Sequence, residues 1–183
     1  MKKKTPTEMA HPDEIVEIWQ TNRKQILEIL DSISDEDLLK EPEGGGWSIS
    51  EVLEHIYLSQ WNIVRSVPVV LNKKFGMDTD EQPDLDYRKM AIGLSRPSGF
   101  KNPEVVAPLN KFKKDELKAL LEKSEKKMLD VLKNKTKEDL TKRGMEHPAF
   151  GTLNLFNYLW VMSLHEGLHL YAIKKRVGFT KEG

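Results

Sequence analysis

This 183-residue chain contains no cysteine. That excludes disulfides, cysteine-ligated zinc and a cysteine nucleophile, and it is compatible with a cytoplasmic address. Charge of one sign is not in excess either: Lys plus Arg and Asp plus Glu number 29 each. No long-range field therefore draws the chain to nucleic acid or to an anionic membrane. The basic run Lys2-Lys3-Lys4 falls in an N-terminal stretch, 1–11, expected to be flexible and solvated. No eighteen consecutive apolar residues exist to span a bilayer, and residues 1–10 lack the apolar segment of a secretory signal. Alternating runs of β type and internal repeats are also missing.

What is present is helical periodicity. Residues 12–32 carry Ile15, Ile18, Trp19, Ile26, Ile29 and Leu30 as one stripe, with Pro12 suited to the first turn. A short helical turn is expected at 35–39, then a break at Pro42 and Gly44-Gly45-Gly46. Ser48 and Glu51 spell a capping box, and Trp47 can staple onto Val52 or, alternatively, wall a pocket. This second helix is expected to reach about residue 73, with a kink at Pro68. The connection 75–112, with Pro83, Pro97, Pro103 and Pro108, is too long for a tight turn and should cross the bundle or form a lid. Leu117, Leu120, Leu121, Met128, Val131 and Leu132 mark a third helix over 114–134. The fourth is predicted to open at Thr152 as N-cap and run to about 176, with Gly178 ending it. The expected fold is all-α: one domain over 1–183, a four-helix bundle with a long crossover between helices two and three.

Residues 165–169 read HEGLH, the H-E-x-x-H pattern of zinc proteases. On a helix, His165 and His169 lie one turn apart on one face, where two imidazoles can chelate one ion. Two unrelated helical histidines are the alternative. A protease needs a third ligand, and the extended pattern fails because Ala172 and Lys175 hold its Gly and His places. Downstream, the sole carboxylate side chain is Glu182. A third ligand, if there is one, therefore lies upstream. His11 precedes the first helix, and His147 would stand roughly 20 Å from the pair unless its loop folds back. His55 lies well inside helix two, flanking the stripe of Val52, Ile56, Ile63 and Val67 beside Glu51, Ser59, Asn62 and Ser66. Such a polar edge suits a pocket lining or ordinary solvent exposure.

At these residues the chain resembles the DinB/YfiT-like superfamily. GWSISEVLEHIYLSQ (46–60) is similar to its second-helix signature. HPAFGTLNLFNYLWVMSLHEGLHLYAIKK (147–175) is similar to its last-helix signature, HP-x-x-G-x-L followed by H-x-x-x-H, and 96–129 is similar to its Pro-rich crossover and third helix. The resemblance implies a four-helix bundle, often dimeric, with a three-histidine metal site on His55, His165 and His169. Members are described as metal-dependent hydrolases, and some relatives as thiol S-transferases or isomerases. The family's Gln shortly after the last His is absent, Leu170-Tyr171-Ala172 standing there.

The expected function is thus metal-dependent hydrolysis of a small molecule, with zinc or nickel lowering the pKa of bound water. Thiol S-transfer and a non-catalytic metal- or ligand-binding bundle are the alternatives. Glu166 is the candidate general base by analogy with zinc proteases, although a helix-to-helix hydrogen bond or salt bridge would also use it. Ser59 and Asn62 are candidate substrate contacts or a solvated polar edge. Partners are expected to be a small-molecule substrate and a second copy of the chain, with no nucleic acid and no membrane.

Overall fold

The apolar stripes become four long helices in the computed structural model, which describes residues 12–79, 82, 83, 85 and 103–179. These helices are α1 (Pro12–Ser32), α3 (Ile49–Leu71), α4 (Lys114–Leu132) and α6 (Leu155–Val177), with one-turn helices α2 (Asp35–Leu39) and α5 (Lys137–Thr141) between them. Expectations about His11, Glu182 and Pro97 lie outside the described residues. No helix among the described residues is long and apolar enough to cross a membrane.

The helix starts follow local chemistry. Ser48 accepts the Glu51 amide while the Glu51 carboxylate accepts the Ser48 amide, so the capping box forms as spelled. Pro68 sits inside α3 without ending it; the helix closes at Leu71, with the Asn72 amide donating to the Pro68 carbonyl. Gly178 ends α6 in the left-handed conformation, φ 64°.

The all-α bundle forms as expected, with one addition and one correction. The chain is not free of strands: β1 (Met77–Asp78), β2 (Arg143–His147) and β3 (Gly151–Asn154) form a small antiparallel sheet in the order β1-β2-β3. These strands are too short to show alternation, and β1 comes from the long connection. Thr152 does not cap α6, because it pairs with Glu146 in the hairpin. Asn154 caps it instead, its side chain accepting the Asn157 amide at 2.8 Å. The sheet is packed closely: a Cβ on Gly144 of β2 would collide with the Leu153 carbonyl of β3, and one on Gly76, just before β1, with the carbonyl of Gly144.

Both α1 and α3 pack against α4 and α6, so the first and second long helices face each other across the bundle diagonal. One half of the core gathers Ile15, Trp19, Val64, Val67, Phe156 and Leu159. The other holds Ile26, Ile29, Leu53, Ile56, Leu117 and Ile173. Burying each such side chain contributes roughly 1.5–3 kcal/mol, and this burial fixes the rotation of α3 and α6 that presents the histidines.

Candidate metal centre

The cap at Ser48 places His55 two turns into α3. Three side chains of this stretch are tied to the end of the long connection. Ser50 Oγ donates to the Phe112 carbonyl at 2.8 Å. The Asn110 amide nitrogen and Nδ2 each donate to the Glu54 carboxylate at 2.9 Å. His55 Nδ1 donates to the Val106 carbonyl at 2.7 Å, which leaves Nε2 of the neutral ring as a bare acceptor. His55 is therefore buried, 2% exposed, and not on a solvated edge. The ring of Trp47 lies against it, 5.0 Å between centroids.

Opposite stands α6. His165 Nε2 lies 3.2 Å from His55 Nε2 and 3.0 Å from His169 Nε2, and one nitrogen from each of the three rings falls within 4.8 Å of the others. With metal–nitrogen distances of ~2.1 Å, separations of this size fit a single shared ion. Protonation is disfavoured throughout. Burial lowers His55, with the Val106 carbonyl opposing. Burial and then His169, His55 and His147 hold His165 well below the ordinary range. Burial and His55 bring His169 down to about 4. Three uncharged imidazoles with one nitrogen of each converging are a donor set that a cation could use, and none carries the extra proton that would oppose it.

Glu166 follows His165 but faces elsewhere. Its carboxylate, fully buried, accepts Gln60 Nε2 at 2.6 Å and pairs with Arg23 Nη2 at 3.2 Å. Arg23 Nη2 also donates to Gln60 Oε1 at 2.5 Å, and Ser124 Oγ approaches the same oxygen at 3.4 Å. This network joins all four long helices. Burial pushes the Glu166 pKa up, against the pull of Arg23 and Gln60. Ser59 is buried one turn beyond His55; Asn62 is half-buried and its amide oxygen accepts from Arg65 at 3.1 Å. His147 is outside the triad, but the hairpin does fold back and lays its ring 4.9 Å from that of Tyr158 on α6.

Several of these supports were not read from the sequence. Arg23 and Gln60 carried a signal: each interrupts an apolar stripe, Arg23 between Trp19 and Ile26, Gln60 between Ile56 and Ile63. A polar residue at a core position needs a buried partner. Val106 and Asn110 carried none, because their role comes from backbone position in an irregular segment.

The model of the DinB superfamily matches residues 18–173. YuaE of Bacillus subtilis (strain 168), an uncharacterized protein, is 22% identical over 160 residues, spanning 86% of this chain and 94% of its own. Among solved structures, YfiT from Bacillus subtilis aligns with a TM-score of 0.62 at 17% identity, over 98% of this chain and 97% of its own. It is described as a probable metal-dependent hydrolase with an unusual four-helix bundle topology. TT2238, described as a four-helix bundle protein, aligns with a TM-score of 0.58 at 21% identity, over 90% and 98%. The family match covers most of the chain and includes all three histidines: the protein belongs to the DinB superfamily.

Proposed function

We propose that this chain is a single-domain, metal-dependent hydrolase of a small molecule, with His55, His165 and His169 holding a divalent ion, zinc or nickel, through Nε2. The observation that carries this reading is the convergence of three neutral ligand nitrogens within 4.8 Å. The likeness to YfiT, described as a probable metal-dependent hydrolase, supports the reaction type. A bound divalent ion supplies Lewis acidity, which makes water or a thiol nucleophilic near neutral pH.

The chain's own residues do the rest. Val106 holds His55 in the one tautomer that leaves Nε2 free. Trp47 packs against the His55 ring and so supports its orientation. Ser59, one turn from His55, and Asn62 at the outer edge are the substrate contacts on α3. Glu166 is engaged by Arg23 and Gln60, so we assign it the positioning of α6 in place of general-base work. Family resemblance supports a homodimer, absence of cysteine a cytoplasmic address, and balanced charge a partner other than nucleic acid.

Elemental analysis of protein purified without added metal tests the centre. About one divalent ion per chain is expected. His55→Ala, His165→Ala and His169→Ala should each weaken it by more than the ~10–100-fold that loss of a mere supporting partner costs. Full metal content in the His55 variant would sink the three-histidine site. Turnover that depends on an added thiol would move the reaction from hydrolysis to thiol transfer.

A further inference from the structure

His147 ends β2, and the reverse turn to β3 folds its ring back onto α6. It rests 4.9 Å from the Tyr158 ring on one side and 4.8 Å from Phe150 on the other. Tyr158, Met162, His165 and His169 recur at steps of four, three and four residues, which is one face of a helix. His147 therefore stands over the ligand-bearing face of α6, two turns ahead of His165. It is near enough that its charge would oppose protonation of His165.

The ring's hydrogen bonding is specific. Nδ1 accepts the Ala149 amide at 3.1 Å, so the neutral ring carries its proton on Nε2. Among the described residues Nε2–H has no acceptor. Burial brings the ring's pKa down to about 4, so it is uncharged at neutral pH. A neutral imidazole with one fixed N–H does not repel a cation, yet it can donate to an electronegative atom held beside one. Phe150 and the ring of Tyr158 give that donor an aromatic surround.

We propose that His147 is a substrate-contacting residue, donating a hydrogen bond from Nε2 to an acceptor oxygen of a carbonyl- or carboxyl-bearing small molecule bound at the three-histidine centre. This rests on the metal reading of His55, His165 and His169.

The test uses cobalt-loaded full-length protein and acetohydroxamate as probe, followed by visible absorption. His147→Leu removes the donor; His147→Gln keeps an amide N–H near the Nε2 position. All three proteins should take up cobalt equally. The leucine variant should bind acetohydroxamate about 5- to 10-fold more weakly, the size of one neutral hydrogen bond, and glutamine should restore most of the loss. Wild-type affinity in the leucine variant overturns the proposal, as does equal weakening in both variants, which would mean packing alone. Loss of cobalt from the His147 variants overturns it too, by making His147 part of the metal-holding structure. If the wild type takes up no cobalt, the underlying metal reading falls first and this proposal with it. Should the leucine variant fail to fold, nitrogen-15 spectra of the zinc-loaded wild type decide. The His147 Nε2–H proton is expected to move downfield with acetohydroxamate, and an unmoved resonance overturns the contact.

Discussion

Arg23 and Glu166, 2% and 0% exposed, form an ion pair in the middle of the bundle, with Gln60 bonded to both. Taking two charges out of water is costly, and mutual attraction returns that cost only while both are present. Among the described residues Arg23 Nε and Nη1 meet no acceptor, so the arrangement is short of full satisfaction there. Glu166→Leu or Arg23→Met alone should therefore destabilise the fold by ~3–5 kcal/mol, and the double variant should recover much of that. Urea denaturation of the four proteins checks the cycle; additive losses would show that the two residues do not act as a pair. Glu166→Gln separates anchor from base. If Glu166 is an anchor, the substitution lowers stability and disturbs the three-histidine cluster; if it is a base, the substitution abolishes turnover in a protein of unchanged stability.

At the scale of elements, the face of α3 that carries His55 is held from outside by the segment 103–112. That segment has only one turn of 3-10 helix, Glu104–Val106, and its hold comes from side chains of α3 reaching its backbone and the Asn110 side chain. Asn110→Ala removes one of the two donors to the buried Glu54 carboxylate, and hydrogen bonds to charged groups are worth ~1.5–3 kcal/mol. The expected result is a loss of that size together with faster amide exchange across 104–110. Exchange confined to α3 itself would show that the segment is held by other means. The start of α3 was legible because Ser48 and Glu51 sit at the spacing a capping box requires. The start of α6 was not, because Thr152 and Asn154 are both competent caps and only pairing of Thr152 with Glu146 decides between them.

Across the whole molecule, the diagonal placement of α1 and α3 lets Arg23 meet Gln60 through the core while α6 packs beside both helices. His55 on α3 and His165 and His169 on α6 stand on two neighbouring helices, so an ion held between them, as proposed, would tie the bundle together. An ion that binds only the folded state at 100 times its Kd adds ~2.7 kcal/mol, or roughly 5–10 °C in Tm for a chain of this size. Zinc or nickel should raise Tm by about that amount, a chelator should reverse it, and His55→Ala should abolish the response. A rise that persists in the His55 variant would mean that the ion binds elsewhere.

The sequence by itself determined the four long helices, the cap of α3, the pairing of His165 with His169 on one face, and the choice of His55 as third candidate. Each rests on local spacing: apolar periodicity, an S-x-x-E pattern, a step of four residues, a position within a helix. Tertiary structure decided what spacing cannot carry. Bringing His55 to within 3.2 Å of His165, 110 residues away, takes the packing of α3 on α6. The turn of Glu166 into the core follows from Arg23 and Gln60 awaiting it on other helices. The return of His147 to α6 follows from the hairpin, whose strands are too short to announce themselves. Local patterns are set by neighbours along the chain, whereas these three outcomes are set by partners brought together by burial of the apolar core.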